Sequence, residues 1–252
     1  MVEIDLRGRL LSRHHAVLRT LNHLGRRIDQ SGWCLVGGMM VLVALAERGR
    51  VATRSSQTKD ADVLVDVCAS PKVLSQVVHE LGSYGFTPIE PFVGSDFARC
   101  TFVGIGGSGQ IDVLCPEDAS YTDLRSAPGV ESLAIPGGRR ALEVSKLVTI
   151  SYDLDEPDVT IRVPLLAGAI VVKAAAAVHP ATSNQPRHSQ DIVDMLLGLD
   201  DPSSERSEMS EEDRSLLQSL SDRMANDGDV AWEGVTARQR NQARAAFDLL
   251  VR

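Results

Sequence analysis

Three aspartates carry the chemistry legible in this chain. Asp60 and Asp62 lie one residue apart in Thr58-Lys59-Asp60-Ala61-Asp62-Val63-Leu64-Val65-Asp66. A run with these apolar flanks reads as a strand, whose alternation turns both carboxylates to one face. Asp112 is the charge within a second β-like run, Gln110-Ile111-Asp112-Val113-Leu114, where burial without a partner is costly. A divalent cation shared by the three removes that cost. Mg²⁺ held in this way can bridge a triphosphate while a second ion lowers the pKa of an attacking hydroxyl, as nucleotidyl transfer requires.

Other residues fit around that set. Gly37 and Gly38 follow the apolar run Trp33 to Val36 and precede an apolar stretch from Met39 to about Glu47. Without Cβ atoms the glycine backbone can come close to phosphates, and the N–H groups of the helix start face the anion; such a pair also serves tight strand-to-helix packing. Thr58 could place a hydroxyl near the phosphates in a supporting role. Lys173 is the only charge between Val163 and Val178. A lysine there must be paired or neutral if buried; it reads as a cation on the triphosphate, stabilising the leaving pyrophosphate, or as a flexible stem snorkelling to the surface. Asp191 and Asp194, three apart on a helix, are rival candidates for one more acid, with ordinary helix-end capping as the alternative. Asp66 shares the face of Asp62 but lies near the strand end, where solvation is expected. Arg187 and His188 flank a turn, as phosphate or RNA contacts or as plain surface.

The elements that must position these residues follow from periodicity. Leu10, Val17, Leu18, Leu21 and Leu24 predict an amphipathic helix over 8–29 with its arginines outside. Strands are expected at Trp33 to Val36, Ala61 to Cys68, Phe97 to Ile105, Gln110 to Cys115 and Val159 to Val163, and a helix at Pro71 to Tyr84. The glycine cluster Gly104 to Gly109 sits between strands. It therefore reads as a hairpin turn and not as a dinucleotide fingerprint, which needs a helix after it. Residues 116–140 look loop-rich, and a mixed segment extends to about Asp158. From Leu165 the pattern is helical: Leu165 to Val178, Ser189 to Leu199, Glu211 to Ala225 and Ala237 to Val251. Polar connectors are expected at His179 to His188 and Asp200 to Ser210.

Composition bounds the class of protein. The 252 residues suffice for one large domain or two small ones, and a net charge of −8 argues against a generally basic nucleic-acid coat. The charge is polarised: Arg7, Arg9, Arg13, Arg19, Arg26 and Arg27, with His14, His15 and His23, crowd the first thirty residues, whereas 200–233 are acidic. The basic end reads as a solvated helix face or as a docking surface for RNA or an acidic partner. Cys34, Cys68, Cys100 and Cys115 show no metal-ligand spacing and look like small buried hydrophobes in a reducing compartment. The longest apolar run, Val163 to Val178, carries Pro164 and Lys173 and falls short of the roughly 20 residues of a membrane span. No stretch reads as a signal peptide, so a cytoplasmic location is expected.

The motifs Leu35-Val36-Gly37-Gly38, Thr58-Lys59-Asp60-Ala61-Asp62, Val172-Lys173 and Asp191-Ile192-Val193-Asp194 together resemble the nucleotidyltransferase toxins of the AbiEii/MenT type, within the DNA polymerase β-like nucleotidyltransferase superfamily. The resemblance implies an α+β fold: a nucleotidyltransferase-like mixed sheet with flanking helices over 1–164, including the basic N-terminal helix, then a helical C-terminal domain over 165–252 that contributes Lys173 and Asp191. It implies metal binding by Asp60 and Asp62, phosphates at Gly37 and Gly38, nucleotide contact by Lys173, and completion of the site by Asp191. Two departures stand out. The interval from Gly38 to Asp60 is long, implying an inserted loop around Arg48 to Gln57, and Gln190 replaces a basic residue before Asp191.

The expectation is therefore an Mg²⁺-dependent enzyme that moves a nucleoside monophosphate from an NTP to an acceptor hydroxyl. The resemblance adds the acceptor, RNA and in particular a tRNA 3′ end, and the setting, the toxin of a toxin–antitoxin pair silenced by a cognate antitoxin. Two alternatives stay open. The acceptor could be a small molecule such as an aminoglycoside, which charge reversal at Arg13 and Arg19 would spare; or the chain could be a non-catalytic member that binds nucleotide or a partner protein.

Overall fold

The computed structural model describes residues 2–50, 58, 60–89, 100–104, 109–179 and 185–252. Lys59, the expected loop insertion at 51–57, the start of the strand expected from Phe97, most of the expected glycine turn at 105–108 and the side chains of Arg13 and Cys100 lie outside the described residues.

The first half alternates strands and helices: β1 (Val2–Asp5), α1 (Ser12–Arg27), β2 (Trp33–Val36), α2 (Gly37–Ala46), β3 (Asp60–Val65), α3 (Val73–Ser83), β4 (Phe86–Pro88), β5 (Cys100–Gly104), β6 (Gln110–Pro116), α4 (Tyr121–Leu124), β7 (Leu133–Ile135), α5 (Gly138–Glu143), β8 (Ser145–Ser151) and β9 (Val159–Pro164). Helices alone follow: α6 (Leu166–Val178), α7 (Gln185–Leu197), α8 (Pro202–Ser207), α9 (Glu211–Gln218), α10 (Ser221–Ala225) and α11 (Ala237–Val251). This is an α+β chain with a helical C-terminal part.

Two sheets are formed among the described residues. The larger runs β2-β3-β6-β5-β4, with β7 beside the end of β6, and the smaller runs β1-β8-β9. The larger sheet is mixed: β3 and β6 are parallel, and β2 and β5 are antiparallel to them. Its central strands β3 and β6 turn one apolar face into the core, where Ala61, Val63, Ile111 and Val113 are fully buried. Helix α2 is apolar all round, and α6 is apolar but for Lys173; both are accordingly buried, and α2 packs on β3, α6 and α7. A single cluster of buried apolar side chains extends from Ile4 to Leu250.

Several expectations need correction. The stretch 116–140 is not mainly loop: Ser120 and Asp123 close a capping box that starts α4, and β7 and α5 follow. Strands β1 and β8 were not legible because they are short or polar on one side; in β8 only Val148 and Ile150 are buried. The connector 200–210 contains α8, whose start Asp201 caps. The helix expected over Glu211 to Ala225 breaks after Gln218, where the Ser219 hydroxyl donates to the Leu216 carbonyl at 2.6 Å, competing with the helical ladder. Asp66 is not solvated: it accepts from Arg139 Nη1 at 3.0 Å and from the Ala69 N–H at 3.1 Å.

Candidate active site

The acids meet through strand register. Asp62 of β3 and Asp112 of β6 are direct partners in the parallel ladder, and Asp60 pairs with Gln110 one step away. Paired positions and i, i+2 positions share a face, so Asp60, Asp62 and Asp112 all project from the same side of the sheet. Asp112 is buried; its Oδ1 accepts from the Thr101 hydroxyl at 2.7 Å and from Gln110 Nε2 at 3.1 Å. Those two donors, one from the partner strand and one from its own, orient the carboxylate.

The glycine pair is built against these acids. Gly37 opens α2 with φ +72°, a left-handed conformation, and a Cβ placed on it would fall 1.7 Å from Asp62 Oδ2. A Cβ on Gly38 would come 2.7 Å from Thr58 Oγ1 and 3.2 Å from Arg187 Nη2. Both positions thus demand glycine. Thr58 is itself buried, and its hydroxyl donates to Asp60 Oδ1 at 2.6 Å.

The helical part closes the other side. Arg187 and Asp191 lie four apart on α7 and so share a stripe, with Arg187 at Gly38 and Asp191 about one turn, ~5.4 Å, further on. Asp191 Oδ2 stands 2.7 Å from Lys173 Nζ, and the two side chains are only 1% and 5% exposed. Lys173 is therefore a buried, paired cation and does not snorkel. Arg187 is half-buried, and no carboxylate among the described residues pairs with it. Asp194 is also buried on α7, but it is Asp191 that meets Lys173.

The donor set has the chemistry of a hard divalent cation, carboxylate oxygens on one face. Its side chains are only partly gathered: among the described residues no three acidic, histidine or cysteine side chains stand close enough to hold one ion, and Asp60 is engaged by Thr58. Asp62 and Asp112 are the pair that the backbone itself sets side by side.

Four residues of the site carried little sequence signal. Gln110 could have been found from its i, i+2 spacing to Asp112. Thr101 could not, because its register depends on the hairpin. Arg187 read equally as a phosphate or RNA contact or as turn-flanking surface, and lies within α7 instead of beside a turn; His14 looked like part of a basic helix but is buried, bonded to the Thr58 carbonyl. Elsewhere on that helix Arg19 pairs with Glu156, His15 with Asp153 and His23 with Glu80, and Arg26 Nε donates to Asn22 Oδ1.

No protein-family model matches the chain, and no curated protein matches it. Among solved structures it is similar to a STING-associated CdnE c-di-GMP synthase from Capnocytophaga granulosa, with 9% identity and a TM-score of 0.28 over 95% of this chain and 78% of that one. A superposition of that quality carries no argument about activity. Among the described residues no helix is long and apolar enough to cross a membrane.

Proposed function

We propose that this chain is a nucleotidyltransferase of the DNA polymerase β-like kind, with its catalytic sheet in 1–164 and Lys173 and Asp191 supplied by the helical part over 165–252. The observation that supports the reading most is the ladder register that sets Asp62 beside Asp112, with the Gly37 backbone packed on Asp62. The acceptor hydroxyl oxygen forms a bond to the α-phosphorus of the NTP as the bond to the bridging α–β oxygen breaks, and pyrophosphate leaves. Asp62 and Asp112, joined by Asp60 as the side chains draw together, would hold Mg²⁺, which would supply Lewis acidity at the α-phosphate and lower the acceptor pKa.

The chain's own residues do the rest. Gly37 and Gly38 admit the phosphates to the start of α2. Arg187, a half-buried guanidinium without a carboxylate partner among the described residues, binds them by charge-assisted hydrogen bonds. Asp112, held by Thr101 and Gln110, takes the acceptor proton. Lys173 adds positive charge only to the extent that Asp191 releases it, so the pair orders α6 against α7 as well as serving the nucleotide.

For the acceptor, the motif resemblance favours RNA, at a tRNA 3′ end, with the chain as a toxin held by a cognate antitoxin. A second reading, transfer to a small cationic acceptor such as an aminoglycoside, is favoured by one observation: Glu156, Asp153 and Glu80 sit on the first helix at Arg19, His15 and His23 and offset part of its positive charge. Purified protein, Mg²⁺ and each α-labelled NTP should be incubated with total tRNA or with aminoglycosides. Transfer is expected to one acceptor class, to need Mg²⁺, and to fall at least about 100-fold in Asp62→Asn and Asp112→Asn. No label on any acceptor, or label undiminished in both variants, would overturn the proposal.

A further inference from the structure

The buried ring of His14 joins two parts of the chain that have no reason to meet on sequence alone. His14 is the third residue of α1, and its Nδ1 accepts the N–H of Leu11, the residue before the helix, at 3.1 Å. An N–H donor at Nδ1 means that this nitrogen carries the lone pair, so the proton sits on Nε2. Nε2 then donates to the Thr58 carbonyl at 3.0 Å. Thr58 precedes β3, so its buried carbonyl has no ladder partner there and requires another donor. His14 supplies it.

Thr58 touches both halves of the candidate site. Its hydroxyl holds Asp60 Oδ1, and its Cβ and Oγ1 lie against Gly38. With its carbonyl fixed by His14, the threonine side chain has one place to be, between the acid and the glycine. We propose that His14 is a positioning residue of the site: through Thr58 it sets the rotamer of Asp60 against the glycine turn. It touches no substrate, and the inference deepens the nucleotidyltransferase reading, on which its kinetic part rests.

Glutamine makes a sharp test. At the third position of a helix its Oε1 can accept the Leu11 N–H, as in a capping box, while its Nε2 donates toward Thr58 as the imidazole does. Leucine fills similar space and does neither. In Mg²⁺-dependent NMP transfer, His14→Leu is expected to lower kcat about tenfold or more, as displacement of a reacting-centre ligand does, with KM for the NTP within about twofold. His14→Gln should recover to within about threefold of wild type. Thr58→Val, which keeps the shape and loses the hydroxyl, should lower kcat similarly, and combining it with His14→Leu should add little further, since both act through one contact.

Two measurements stand apart from activity. Imidazole ¹H–¹⁵N correlation on the wild-type chain should show the Nε2–H tautomer at His14, and hydrogen exchange in His14→Gln should match wild type over residues 58–65. An Nδ1–H tautomer, a glutamine variant as impaired as the leucine one, or additive losses in the double variant would each overturn the inference, and the tautomer decides it even where His14→Leu does not fold. A wild-type chain that transfers no nucleotide, yet shows the Nε2–H tautomer and wild-type exchange in His14→Gln, would sink the proposed activity and leave the His14–Thr58 linkage standing.

Discussion

Asp62 occupies the space that a side chain at position 37 would need. On a backbone with φ +72°, a Cβ there would fall 1.7 Å from Asp62 Oδ2. The glycine turn and the acid motif, distant in the chain, are therefore one packing unit, and neither can change without the other.

Gly37→Ala should lose both the left-handed conformation and that contact. Its unfolding free energy is expected to fall by about 2–4 kcal/mol. Gly129 offers the control: its φ is also +72°, but nothing lies within 4 Å of its Cβ position, so Gly129→Ala should cost only the conformational strain, about 1–2 kcal/mol. Denaturant titration of both variants separates the terms. Equal losses would mean that Asp62 does not press on Gly37.

The Lys173–Asp191 pair should behave as a buried ion pair. Asp191→Ala leaves an uncompensated ammonium in the core and is expected to cost about 3–5 kcal/mol, whereas the double change Lys173→Met with Asp191→Leu should recover most of that. Nucleotide transfer should stay low in the double variant even where stability returns. Recovery of both together would show the pair to be structural alone.

Arg187→Gln should separate binding from folding in the opposite way. Without a carboxylate partner to orphan among the described residues, its loss should change stability by less than about 0.5 kcal/mol. The KM for NTP is expected to rise about tenfold, the value of one charge-assisted hydrogen bond. An unchanged KM for every NTP would remove Arg187 from the phosphates.

The cysteines should divide by burial. Desolvation pushes the Cys34 thiol up to about 12 and that of Cys115 to about 11, although the bond to Ser132 opposes it. Cys68, expected to be buried with the others, is instead exposed because it lies in the turn after β3; its thiol is raised, first by desolvation and then by Asp118. A raised pKa leaves little thiolate at pH 8, so alkylation there followed by peptide mapping should modify Cys68 well before Cys34 and Cys115, which should react only on unfolding. Rapid modification of Cys34 in the folded chain would contradict its place in β2.

Local pattern alone determined much of this protein. The run Trp33 to Val36 and the stretch Ala237 to Val251 appear as expected, because a short apolar strand and an amphipathic helix write their periods into neighbouring residues. The shared face of Asp60 and Asp62 was legible for the same reason, since two residues apart on a strand is a local relation. What tertiary structure alone decided was everything set by register or by contact between distant segments. That Asp112 stands beside Asp62, and Thr101 beside Asp112, depends on which strand lies next to β6 and in what phase; a shift of one residue would send these side chains to the other face. That Lys173 is paired, Arg187 faces Gly38 and His14 holds Thr58 depends on helices packing across the sheet. Spacing along a chain carries no information about such distances, because they are fixed by burial of apolar surface elsewhere in the molecule.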